Sequence, residues 1–314
     1  MSKGFRVLAS ITAMSAYLQI ALGGVVRNTG SGLGCQNQWP LCNGAAYPGW
    51  NVHAIVEYSH RTFGVLTSVL MLLTFFAALA LYARRRPILA WTSGGALAAV
   101  SLEIPLGALV VFRDLSGVLV LAHLAVAMII LGLLLGTAVL AVDRRESPVP
   151  GRQLRLALGA VAALAFLALV TGGGVVASEA DKQCRAWPLC GAGLQFDITG
   201  ANAFTMAHRL TVALLVATAA YAAWQSWRGS SRSSAVWPVA ALLLTLAQAL
   251  IGAGAALAGE SALFNSLHVA GAAAAWGAAA TAALVALRPP CAVNPGPQLE
   301  SAPSGDCRSR IDRA

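Results

Sequence analysis

Glu57-Tyr58-Ser59-His60-Arg61 places a carboxylate and an imidazole three residues apart, on one face if the segment is helical. The pattern returns later in the chain as Met206-Ala207-His208-Arg209, where the position matching Glu57 holds Thr205. Two further histidines, His123 and His268, also lie a few residues inside apolar runs. Two imidazoles on facing helices of a bundle are what bis-imidazole ligation of a haem iron requires, because the porphyrin lies between them. Gly64, Ala127, Gly271 and Ala272 are small residues one turn below these histidines and would leave room for such a ring. A hydrogen-bonded core histidine is the plainer reading of any one of them. Four in matched pairs favour function, because ionisable groups inside a membrane are rare and costly. Zinc fits less well, since no third and fourth ligand recurs with each pair. His53 has no partner in the repeat and reads as a solvated loop residue.

Arg61 and Arg209 follow the first histidine of each pair. A guanidinium there could clamp a carboxylate of the bound ring, or could anchor the helix among lipid headgroups. Cys35/Cys42 and Cys184/Cys190 both bracket Trp-Pro-Leu. A short disulfide in each loop is the favoured reading, on the side where disulfides persist, with a zinc site shared between the loops as the alternative. Glu57 could move protons or stabilise developing positive charge. It could also be an ordinary acidic residue at a helix start. The second half does without it, so the fold itself does not demand it. Glu103, matched by Gln248, reads as a hydrogen-bonded carboxylic acid in a supporting role.

These groups must be held by a membrane scaffold. The 314 residues are 58% hydrophobic and 11% charged, too apolar for a water-soluble domain. Eight runs, about 5–26, 58–83, 88–112, 117–142, 156–177, 204–227, 235–258 and 262–287, are long enough to span a bilayer as helices. They are continuous rather than alternating, which excludes a barrel. The fold class is therefore an all-α integral membrane protein with eight transmembrane helices. The first run is read as a retained helix rather than a cleaved signal, because it has a counterpart in the second half. With both termini in the cytoplasm, only Arg27, Arg61, Arg113, Lys182, Arg185 and Arg209 of the 21 Lys and Arg face outside. That asymmetry follows the positive-inside rule and puts loops 27–57 and 178–203 on the outer side. The net charge of +9 thus points to anionic lipid headgroups and not to nucleic acid.

Gly23-Gly24-Val25-Val26 returns as Gly173-Gly174-Val175-Val176, and Trp39-Pro40-Leu41-Cys42 as Trp187-Pro188-Leu189-Cys190. Glu103 and Gly107 match Gln248 and Gly252. Each repeat holds four spans, so both enter the membrane from the same side, as a parallel repeat. The expected organisation is two four-helix bundles, 1–142 and 156–287, joined by a cytoplasmic linker at 143–155. The Pro-rich tail at 288–314 reads as disordered, with Cys291 and Cys307 reduced.

Thr29-Gly30-Ser31-Gly32-Leu33-Gly34-Cys35, Trp39-Pro40-Leu41-Cys42-Asn43-Gly44 and Glu57-Tyr58-Ser59-His60-Arg61 together resemble the haem A synthase family, in its subgroup with cysteine pairs in both outer loops. The resemblance covers about residues 5–287. It implies oxidation of a methyl group of haem O to the formyl group of haem A, in a bacterial cell membrane. It also implies a haem b cofactor between His208 and His268, and substrate haem O between His60 and His123 beside Glu57. Two features depart from the family pattern: Glu103, and Gln36-Asn37-Gln38 after Cys35. Candidate partners are haem O synthase, oxidase assembly factors and a second copy of the chain. The rival functions are a di-haem b-type electron carrier and a membrane thiol oxidoreductase using the loop cysteines. A transporter is a third, suggested by the repeat alone.

Overall fold

The computed structural model describes residues 1–142, 150–190, 197–229, 235–259 and 261–288. Residues 143–149 of the linker, and the tail from 289 with Cys291 and Cys307, lie outside the described residues. Among the described residues the fold is all-helical: α1 (Lys3–Asn28), α2 (Val52–Tyr82), α3 (Pro87–Phe112), α4 (Gly117–Leu140), α5 (Arg152–Ala177), α6 (Ala180–Gln183), α7 (Asn202–Arg228), α8 (Val236–Ala258) and α9 (Ala262–Leu287). All but the one-turn α6 are long and apolar enough to cross a membrane. They coincide with the eight runs expected from sequence.

Helix boundaries follow capping chemistry. The Ser2 hydroxyl accepts the Phe5 N–H at the start of α1, and Pro87 opens α3, where its missing N–H costs nothing. The Asn51 side chain accepts the Ala54 N–H at 3.1 Å and starts α2 at Val52. That is six residues earlier than the apolar run suggests, because the Asn51 cap satisfies the first turn and extends the helix beyond the membrane-length apolar stretch. Glu57 and His60 therefore sit well inside a helix rather than at its start. His53 also differs from the reading as a free loop residue. It lies in the first turn of α2, with Nδ1 3.0 Å from the Ser31 hydroxyl.

α1 packs on α2, α4 and α9; α4 packs on α3, α5 and α9; α5 also contacts α7 and α9, and α8 lies between α7 and α9. The resulting core is built largely from alanines, with Met128, Leu131, Leu134 and Trp276 filling the wider gaps. Small residues let helix backbones approach closely where burying apolar surface gives no driving force, as in lipid. Large apolar side chains such as Leu66, Phe76, Trp91, Leu214 and Leu250 point outward. Hydroxyl pairs, Thr12 with Thr74 at 2.8 Å and Ser15 with Thr67 at 2.7 Å, cross-link α1 to α2. At one end of the bundle Tyr82 meets Ser2, Arg86 donates to the Leu140 carbonyl, and Arg288 donates to the Val142 carbonyl. The two disulfide loops and the four helical histidines lie toward the opposite end.

Candidate functional site

Each of His60, His123, His208 and His268 faces a glycine on the preceding membrane helix. A Cβ added to Gly23 would lie 3.1 Å from His60 Nε2, and one on Gly107 would lie 3.0 Å from His123 Cε1. The corresponding distances are 3.0 Å for Gly172 and His208, and 2.7 Å for Gly252 and His268. Four helix pairs thus use one device: a missing side chain seats an imidazole. The seats of His123 and His268, Gly107 and Gly252, occupy matched positions of the repeat noted in the sequence.

The histidines come together in pairs. The rings of His208 and His268 stand 6.5 Å apart between centroids, at 84° to one another. Two imidazoles bonded to one metal through bonds of about 2 Å hold their ring centres roughly 6 Å apart, so this pair fits an iron between them. His60 and His123 lie within electrostatic reach of each other in the other half. Their glycine seats and pairing fit the same group. Polar neighbours address the ring edges. His208 Nδ1 is 3.3 Å from the Thr171 hydroxyl, and His268 Nδ1 is 2.7 Å from the Gln248 amide nitrogen. His123 Nδ1 is 3.0 Å from Glu103 Oε1. The Gln19 amide donates to the His60 carbonyl at 3.1 Å.

Two of the small residues below the histidines make room for a neighbouring amide. Gly64 accommodates the Gln19 amide and Gly271 accommodates the Gln248 amide, so these positions admit side chains that grip the histidine-bearing helices.

Glu57 is 3% exposed. One carboxylate oxygen accepts the Cys35 backbone N–H at 2.8 Å, and the other pairs with Arg61. Arg61 also donates to the carbonyls of Gln38 at 2.9 Å and Leu41 at 3.2 Å. Arg209 makes the matching contacts in the other loop, donating to Ala186 O at 2.8 Å and Pro188 O at 3.0 Å. Both guanidiniums are therefore engaged with the carbonyls of a disulfide loop. Cys35–Cys42 and Cys184–Cys190 are bonded, and both Trp–Pro bonds within the loops are cis. Thr205, at the position of Glu57, is buried, and its hydroxyl has no hydrogen-bond partner among the described residues. The two loops share a disulfide, a cis Trp–Pro bond and an arginine clamped on loop carbonyls, and the first adds the carboxylate.

The chain matches the COX15-CtaA family, described as cytochrome oxidase assembly protein, over residues 6–54 and 49–280. It belongs to that family. It is 30% identical over 269 residues to "Heme A synthase" of Symbiobacterium thermophilum, a match covering 80% of this chain and 85% of the relative. It is 28% identical over 273 residues to "Heme A synthase" of Geobacillus kaustophilus, covering 81% and 82%. "Heme A synthase" of Bacillus pumilus is 26% identical over 265 residues, covering 80% and 85%.

The seats of His123 and His268 carry a signal in the sequence. Gly107 and Gly252 recur at matched positions, one turn after Glu103 and Gln248, which is the spacing needed to grip one ring from two sides. No local pattern marks the link from Glu57 to Cys35, because it depends on how the loop folds back over α2.

Proposed function

We propose that this family member is a haem A synthase, oxidising a methyl group of haem O to the formyl group of haem A. The single observation that carries the reading beyond kinship is the asymmetry between otherwise matched platforms, Glu57 against Thr205. Among the described residues, only the first half has a buried carboxylate one helical turn before its first histidine.

In this reading the half spanning 1–142 holds substrate haem O between His60 and His123. The half spanning 156–287 holds a resident haem b between His208 and His268. That haem supplies reversible one-electron chemistry. The loops carrying the disulfides face the outer side of a bacterial membrane. Replacing –CH₃ and H₂O by –CHO releases four protons and four electrons, so the site must stabilise positive charge at the methyl carbon and take up protons. Glu57, fixed by Cys35 and Arg61 and shielded from water, is preorganised for the first task. Its carboxylate can also accept the proton of an attacking water. His60 and His123 orient the ring, and Arg61 and Arg209 each hold the loop of their own half, with a remaining N–H able to meet a propionate. Candidate partners are the enzyme that makes haem O and the factors that assemble the oxidase.

Pigment extraction from the purified protein, separated by reversed-phase chromatography and identified by mass, tests the assignment. A synthase carries haem b together with haem O or A, whereas a di-haem electron carrier yields haem b alone. The Glu57→Gln variant should retain haem b and bind haem O, with haem A formation lowered about 100- to 1000-fold. Near-normal haem A from that variant would remove Glu57 from the chemistry.

A further inference from the structure

α3 presents Glu103 and Gly107, one turn apart, to a single imidazole. Gly107 seats the Cε1 edge of His123, and the Glu103 carboxyl stands 3.0 Å from its Nδ1. Glu103 is 12% exposed in its side chain, inside an apolar span. The contact has ion-pair distance, but its angle falls short of a hydrogen bond, so both His123 Nδ1 and the second Glu103 oxygen have no hydrogen-bond partner among the described residues. α8 repeats the arrangement with a different end group. Gly252 seats His268, while the Gln248 amide nitrogen lies 2.7 Å from Nδ1 and donates to the His268 carbonyl at 2.5 Å.

We propose that Glu103 is a positioning residue for the reaction: its carboxyl accepts the His123 Nδ1–H and thereby presents Nε2, lone pair outward, to the iron of the porphyrin being oxidised. The proposal rests on the reading that His123 ligates that iron. A carboxyl is a stronger acceptor for that N–H than the neutral amide that Gln248 places beside His268. The two halves therefore place different end groups, a carboxyl and an amide, beside their second histidine at the same point of the repeat. An imidazole that gives its N–H to a carboxyl is a more basic ligand at the other nitrogen. Hydrogen bonding of this kind is one of the levers by which a protein sets haem potentials. A more electron-rich ligand at the substrate iron favours loss of electrons from that ring, which is the direction of the reaction. The amide-partnered half would hold its iron at a higher potential, suited to receiving electrons.

The test uses full-length protein loaded with iron protoporphyrin IX and titrated spectroelectrochemically, with His123→Ala identifying the component that belongs to the first half. Glu103→Gln should raise the midpoint of that component and leave the other unchanged. The reciprocal Gln248→Glu should lower the midpoint of the other component. Loss of the His123-dependent component alone from Glu103→Gln would equally support positioning by the carboxyl. Unchanged midpoints in both variants would overturn the proposal while leaving ligation by His123 intact. If Glu103→Gln cannot be recovered, Gln248→Glu decides alone: an unshifted midpoint overturns the proposal. If His123→Ala leaves both components in place, the ligation assignment fails and this proposal fails with it.

Discussion

The Glu57 carboxylate accepts the backbone N–H of Cys35 at 2.8 Å, so the candidate catalytic group and the disulfide of its own loop form one hydrogen-bonded unit. The Arg61 guanidinium closes the unit by pairing with the second carboxylate oxygen and with loop carbonyls. The candidate catalytic carboxylate is thus held from the loop side as well as from α2.

This bonding separates two substitutions that would otherwise look alike. Glu57→Gln keeps an oxygen that can accept the Cys35 N–H. Glu57→Ala leaves a buried N–H and a guanidinium without their partner, at a cost of about 1–3 kcal/mol per unsatisfied group. Thermal unfolding in detergent should therefore show Glu57→Ala clearly less stable than Glu57→Gln, although both lose haem A formation. Equal melting temperatures would mean that the loop contacts contribute nothing.

The glycine seats give a second prediction. A methyl group at residue 252 would come within 2.7 Å of His268 Cε1, closer than real Cβ contacts allow. Gly252→Ala should displace the ring and reduce the haem b content of the purified protein several-fold. Gly159, in α5, has nothing within 4 Å of an added Cβ. Gly159→Ala should keep its haem, and the better helix propensity of alanine makes it neutral or up to about 1 kcal/mol stabilising. Absorbance of the reduced pigment per protein reads both variants.

The sequence made the membrane architecture legible because roughly 20-residue apolar runs have few alternatives in a bilayer. The four histidines were legible because ionisable groups stand out against such a background. Less visible was what the glycines do. A glycine signals only that a side chain is unwelcome, and the ring that excludes it comes from another helix. The start of α2 was misplaced for a different reason, since hydropathy senses the membrane boundary and Asn51 sets the helix boundary. The partners of Arg61 and Arg209 were not legible either. They are backbone carbonyls, which every residue has, and only the folded loops bring Gln38, Leu41, Ala186 and Pro188 into range.

Arg209 offers a test of that loop function away from the candidate catalytic carboxylate. Its two nitrogens hold the carbonyls of Ala186 and Pro188, and no acidic residue occupies the position of Glu57 beside it. Arg209→Ala should loosen the loop around Cys184–Cys190 by about 1.5–3 kcal/mol per charged hydrogen bond lost. Hydrogen exchange of residues 184–190 should rise, with exchange of 35–42 unchanged. Arg209→Lys should restore little, because a single ammonium cannot span two carbonyls as the planar fork does.

Reduction of the disulfides should act unequally on the two loops. The bridged cysteines are 7 and 6 residues apart. Closing loops this short stabilises by about 2.5 kcal/mol each in the chain-entropy account. The direct thermodynamic loss should therefore be nearly equal in the two halves. The consequences should differ, because Cys35 also fixes Glu57 through its N–H, whereas Cys184 and Cys190 have no carboxylate at the position of Thr205. Cys184→Ser with Cys190→Ser should keep most of the haem A formation that the lost stability allows. Cys35→Ser with Cys42→Ser should lower it well beyond the common loss of stability, since the loop that presents the backbone N–H of residue 35 to Glu57 is then no longer held in place by the bridge. Haem A yield per folded protein, measured for both double variants at matched haem b content, decides the matter. Equal yields would show that the bridge at Cys35 acts on the fold alone, and that Glu57 needs no support from its loop.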